Sequence, residues 1–241
     1  MYRVSDYPHL ETLMTVPMVL AEADSVSREF PMVWQETNGT FTLVALTGLE
    51  PGINLTIIRE RASGELPLLA LKSYPFTAAP GDYVDSRPVL MDKAPTRPGA
   101  ISIPIYDSKG QFTRNALMRL AAARILAHSQ IKTAFFSRKL EESGLLKPWE
   151  FALQFSERSL SLKGLYILER DHQQRHEKLE PLVEEMGRDI IRLVELHELS
   201  LFRMNFLAGS HAAVSAARGK TTATGPFNEG NIPLPDHMIM E

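Results

Sequence analysis

Between Val16 and Phe76 the chain alternates apolar runs of strand length with turn residues, and this alternation limits the fold more than any other feature. Val16 to Leu20 reads as a first strand, with Pro17 placing it at an edge or at its own start. Asp24 to Glu29 is polar and suits one helical turn with Asp24 as its N-cap. Pro31–Trp34 and Phe41–Leu46 read as the arms of a hairpin. Thr37-Asn38-Gly39 between them supplies residues that tolerate positive φ, which a tight turn requires. The turn Glu50-Pro51-Gly52 then leads into a predicted strand over Ile53–Ile58. Leu66–Leu71 fits either strand or helix. A proline-rich connection over 77–100 carries Val89-Leu90-Met91 as a short buried strand, and Ile101–Tyr106 reads as another.

The period then becomes helical. Thr113 caps a segment that runs to about Ala127, with a broad apolar surface that includes Leu117, Met118, Leu120, Ala122 and Ile125. Thr133 can cap a second helix that ends at Gly144, with Leu145 and Leu146 as apolar anchors behind it. Phe151–Phe155 and Leu162–Leu168 pattern as a second hairpin. From Asp171 onward the chain is helical, with breaks near Pro181 and Gly187, and the last helix covers about Asp189–Leu207. After Gly209 the composition turns to Ala, Ser, Thr, Gly and Pro, and apolar periodicity is lost. The fold class expected is α+β: one domain over 10–208, with a largely antiparallel N-terminal sheet packed against C-terminal helices. A flexible tail is expected over 209–241.

Composition excludes several functions. Net charge is −3 and no run of Lys and Arg exists, so the chain lacks the footprint of a nucleic-acid binder. There is no cysteine, which removes disulfides, thiolate nucleophiles and Cys-bound metals and fits a reducing cytoplasm. No apolar run approaches the ~20 residues of a membrane-spanning helix. Leu13–Ala21 is apolar and Ala21-Glu22-Ala23 has the small-x-small form of a leader cleavage site. Asp6, Glu11 and Pro17 favour a strand there instead.

No complete catalytic constellation is present. Gly219-Lys220-Thr221-Thr222 lacks the upstream glycine of a phosphate loop, since position 214 is Val. His172 and His176 share a helix face but have no third metal ligand. His9 and Glu11 have the spacing of one arm of an iron site, without its distal histidine. His197 lies on the apolar stripe Ile190, Val194, His197, Leu201, Met204 and reads first as a core histidine, second as a general base or ligand contact. Ser200 lies three residues on, mid-helix, where neither a strained turn nor an oxyanion hole is available to activate it. The sequence calls for no metal, no cofactor and no catalytic residue.

Several separated pieces, taken in order, resemble the bacterial SapC family. They are Val16-Pro17-Met18-Val19 with Glu22, Arg28-Glu29-Phe30-Pro31-Met32-Val33, and Ala45-Leu46-Thr47-Gly48-Leu49. Gly52-x-Asn54-Leu55, Tyr74-Pro75-Phe76, Asp107-x-x-Gly110, Thr133-Ala134-Phe135, Gly164-Leu165-Tyr166 and His197–Leu201 follow. The resemblance spans roughly Val16–Leu207, and the chain departs from the family pattern at Leu66–Leu69, Lys72-Ser73 and Val89–Asp92. It implies association with a bacterial surface layer or with nutrient uptake, and no reaction. The reading that follows is a non-enzymatic binding or accessory protein, cytoplasmic or surface-associated. Glu22, Asn54, Tyr74, His197 and Ser200 are its candidate contacts to a protein partner or small-molecule ligand, and a homo-oligomer is left open. The alternative is an enzyme acting on a small molecule or carbohydrate near His197.

Overall fold

A computed structural model describes residues 12–56, 68–81, 88–90, 104–149, 151–155 and 158–222. Its centre is an antiparallel sheet of five strands in the order β1-β3-β2-β9-β6. β1 is Thr15–Pro17, β2 Met32–Thr37 and β3 Thr40–Leu46. β6 is Leu146–Pro148 and β9 Leu165–Leu168. The turn between β2 and β3 has Asn38 at φ 52° and Gly39 at φ 73°, the two left-handed residues that match hairpin twist. Val33 faces Val44 and Trp34 faces Leu43 across that pair. Leu43–Leu46 are all buried, so both faces of the sheet are covered here.

The helices are α1 (Ala23–Val26), α2 (Leu69–Ser73), α3 (Arg114–Glu142), α4 (His172–Met186), α5 (Arg188–Leu201) and α6 (Arg203–Thr222). Antiparallel sheet and C-terminal helices make the fold α+β. Two short pairs stand apart: β4 (Phe76–Thr77) with β5 (Val89–Leu90), and β7 (Phe151–Phe155) with β8 (Arg158–Leu162). The main core joins Trp34, Phe30, Leu43, Leu46 and Leu49 to Phe136, Leu140, Ile190, Leu193 and Leu207.

Several expected elements differ. β1 stops at Pro17 and gives way to a 3-10 turn over Leu20–Glu22. Asp24 lies inside α1 rather than capping it, and its carboxylate pairs with Arg192. Ile53 makes one isolated bridge to Glu50 instead of opening a strand, and 57–58 lie outside the described residues. Val89 is exposed rather than buried. Of Ile101–Tyr106, 101–103 are outside the described residues, and Tyr106 bridges Phe112.

The helix that Thr113 caps runs without a break to Glu142. Thr133 starts no second helix. Its hydroxyl donates to the Ser129 carbonyl one turn back (2.7 Å), the back-bond open to a threonine in mid-helix. α3 buries the small residues Ala116, Ala123 and Ala127 together with Arg119, and leaves Leu117 and Met118 in solvent. Phe151–Phe155 pairs with β8, and Leu165–Leu168 pairs instead with β2 and β6. Pro181 sits inside an unbroken α4, whereas Gly187, at φ 69°, does separate two helices. The Ala-rich stretch after Gly209 stays helical to Thr222, with Ser210, His211 and Val214 buried. Alanine is the strongest helix former, and these contacts hold the segment against the core. Residues 223–241 lie outside the described residues.

Candidate functional site

His197 and Ser200 lie on α5 and reach the same place, the end of the β2–β9 ladder. That ladder is regular at first. Glu36 N–H donates to the Gly164 carbonyl (3.3 Å), and Trp34 then faces Tyr166. Two residues further along each strand, Met32 and Leu168 are due to form the next rung. The imidazole of His197 stands between them instead. Its Nδ1 lies 2.8 Å from the Met32 carbonyl oxygen, and Leu168 N–H donates to Nε2 at 3.3 Å. Only the tautomer with the proton on Nδ1 satisfies both contacts. Met32 N–H donates to Ser200 Oγ (2.9 Å), and that hydroxyl donates to the His197 carbonyl (2.6 Å).

One turn of helix therefore bridges the gap where two interior strands of the sheet part. The imidazole is 1% exposed, and its ring lies 5.1 Å from that of Trp34. Burial pushes its pKa down to about 4, and the nearby Arg175 and Arg170 lower it further against the effect of the Met32 bond. A neutral ring with both nitrogens on backbone groups is a cross-link. Neither His197 nor Ser200 has an atom free to attack or to deprotonate a substrate.

Glu22, Asn54 and Tyr74 lie elsewhere, each against a different segment. Glu22 is buried, and its two oxygens accept from Val19 N–H (3.0 Å) and Leu69 N–H (2.6 Å). It thereby caps α2 from a distant part of the chain. Burial pushes its pKa up to about 7, against the opposing pull of the two amides and Lys72. Leu69–Ser73 is thus tied down as α2 by a carboxylate from the N-terminal block.

Asn54 donates to the Leu13 carbonyl (2.9 Å) and Thr47 Oγ1 (3.1 Å), and Thr56 N–H donates to its Oδ1 (2.9 Å). The loop it closes brings Gly48 so near the Ile53 carbonyl that any Cβ there collides with backbone oxygen. Gly48→Ala is accordingly expected to cost about 2 kcal/mol, read as a lower urea midpoint. An unchanged midpoint means that the loop moves aside freely. The Tyr74 carbonyl accepts from the Arg119 guanidinium of α3.

A cavity of about 520 Å³ opens on the solvent side of His197. β9 contributes Leu168 and the segment after it Arg170, α4 contributes His172 and Arg175, and the α5–α6 junction contributes Glu198, Phe202 and Asn205. Asp171 shapes the α4 side, because its carboxylate caps that helix at Gln174 N–H (2.9 Å). Arg175 is well fixed. It pairs with Glu198 (2.5 Å), donates to the Glu169 carbonyl (3.2 Å) and lies 2.9 Å from His172 Nδ1. The sequence reading missed Arg170, Phe202 and Asn205. Phe202 and Asn205 have one visible signal, an aromatic and an amide off the apolar stripe of the expected Asp189–Leu207 helix, and Arg170 has none.

Among the described residues no group of three or more His, Asp or Glu could hold a metal ion, and His176 is exposed. His9 and Glu11 lie outside the described residues. Among the described residues no helix is long and apolar enough to cross a membrane.

No curated protein and no solved structure matches the chain. The model of the SapC family matches it over residues 1–207, most of its length and all of the sheet and site just described. The chain belongs to the SapC family.

Proposed function

We propose that this protein is a non-enzymatic binding protein whose ligand enters the cavity beside His197. One observation carries the reading. The polar side chains nearest a reactive arrangement, His197 and Ser200, are fully engaged with backbone groups, while the cavity against them has charged and aromatic side chains directed to solvent. Binding needs preformed walls and a few polar contacts, and these are present. Catalysis near His197 needs a carboxylate or a substrate proton at the imidazole, and Nδ1 carries the Met32 carbonyl instead. The setting in surface-layer or nutrient-uptake biology rests on SapC membership, as an accessory role beside a protein partner.

A thermal-shift screen against sugars, peptides, metal ions, common cofactors and small organic acids tests the reading, because a ligand that prefers the folded state raises the melting temperature by mass action. We expect at least one class to raise it and to be recovered unchanged after prolonged incubation. Conversion of a bound compound into product, lost on mutation of the cavity, would overturn the proposal in favour of the enzyme.

A further inference from the structure

We infer that the cavity between β9, α4 and the α5–α6 junction takes a small oxoanion-bearing molecule, a carboxylate or phosphate joined to an apolar body. The head group lies at Arg170 and the body against Phe202. This deepens the binding reading above and rests on it.

The charges around the cavity decide the sign of the ligand. Two guanidinium groups and one carboxylate line it, on Arg170, Arg175 and Glu198. Arg175 and Glu198 neutralise each other at 2.5 Å, and the Arg175 side chain is only 13% exposed. Arg170 is exposed and makes no ion pair among the described residues. The lining therefore has one uncompensated guanidinium, whose planar donor fork matches carboxylate and phosphate oxygens. Asn205 adds an amide to the lining.

The second cavity sharpens the contrast. It measures about 330 Å³ and lies among Ala21, Asp24, Lys132, Asp189 and Arg192. Its charges are paired internally, Lys132 with Asp189 and Arg192 with Asp24. Of these two cavities, formed by described residues, the one beside His197 has charge left to offer.

The walls decide the remainder of the ligand. Leu168 and Leu201 are apolar, and Phe202 stands 76% exposed at the cavity. An aromatic ring held in water beside an unpaired guanidinium gains by covering its face, and an apolar body attached to the anion covers it. The volume falls within the range of small-molecule sites, so the ligand is a small organic anion rather than a polymer.

Calorimetry on the full chain at low salt tests this with benzoate, phenyl phosphate, benzyl alcohol and benzylamine. Benzoate or phenyl phosphate is expected to bind, and the tighter of the two identifies the head group. Benzyl alcohol and benzylamine are expected to bind at least tenfold more weakly. Arg170→Gln should weaken the anion at least tenfold and Phe202→Ser about fivefold, whereas Lys132→Gln in the other cavity should leave it unchanged. Circular dichroism confirms that each variant is folded. Equal binding of the amine or alcohol, or full affinity in Arg170→Gln, would overturn the inference. So would failure of both anions while a neutral ligand binds here, which leaves the binding-protein reading standing. Conversion of a bound anion to product would instead overturn that reading and keep the ligand class.

Discussion

Replacing His197 by alanine is expected to lower stability by about 4 kcal/mol, a large part of the 5–15 kcal/mol typical of a folded domain. Two effects add. The Met32 carbonyl and the Leu168 amide lose their partners in a buried place, at about 1–3 kcal/mol each. The space beside Trp34 is left unfilled. The strands cannot simply close the gap, because Leu168 is already paired in register with Leu146 on the other side. His197→Phe keeps the volume and loses both bonds, so it should be nearly as damaging. His197→Gln offers a donor and an acceptor and should recover about half of the loss. Urea unfolding of the three variants measures this. If phenylalanine stabilises better than glutamine, the ring works by packing and the hydrogen-bonded bridge is unimportant.

Stability is expected to change little between about pH 4.5 and pH 6.5 from two buried groups whose effects oppose. His197 has its pKa pushed down to about 4, so over this interval the unfolded chain binds the extra proton. Its contribution is complete above the ordinary histidine value of 6.5 and is lost as pH falls toward 4. Glu22 has its pKa pushed up to about 7, so the folded chain binds the extra proton. Its contribution is complete below 4.5 and is lost as pH rises through 7. Each shift corresponds to about 3 kcal/mol across its own window.

Removing one group exposes the other. Glu22→Gln should become more stable relative to wild type as pH rises from 4.5 to 6.5. His197→Gln should become less stable over the same interval. Each substitution also brings a constant offset from altered hydrogen bonding, which the slope separates. Urea midpoints at half-unit pH steps provide the comparison. Curves for both variants parallel to wild type would show that neither group is held in the protonation state described.

The parts of the fold that a sequence reading anticipates are those decided by neighbouring residues. Asn38-Gly39 fixes the β2–β3 hairpin because few residues accept positive φ. Thr113 starts α3 because its hydroxyl can accept from Ala116 N–H (3.3 Å). Gly144, at φ 66°, ends it with Leu145 anchored behind. What escapes is decided by partners far away. Leu165–Leu168 has the composition to pair with any apolar strand, and only the closed structure sets it between β2 and β6. Thr133 offers the same hydroxyl to a cap or to a back-bond. It makes the back-bond and then accepts from Leu20 N–H (3.0 Å), 113 positions away.

The candidate site was legible to a smaller degree. His197 stands out as a histidine on an apolar stripe, but its two acceptor and donor contacts come from strands that no local pattern links. Glu22 looks like a surface acid in sequence, and its burial follows from α2 docking over it. Arg170 carries no sequence signal, because an unpaired arginine and a paired one look alike until their neighbours are placed.

Helix α3 has 29 residues and extends about 44 Å. Its C-terminal half enters the main core through Phe136 and Leu140. Its N-terminal half meets a much smaller cluster, in which Phe76, Ala116 and Ala123 are the buried members. Alanines contribute little apolar area, so the two halves are secured very unequally. Opening free energies then fall along a single continuous helix, from near the global value around Phe136 to far less near Ala116. The Arg119–Tyr74 clasp belongs to the weaker end. The region around Phe76 can loosen and reform while the sheet and the cavity beside His197 stay intact, and amide exchange along α3 would record that gradient residue by residue.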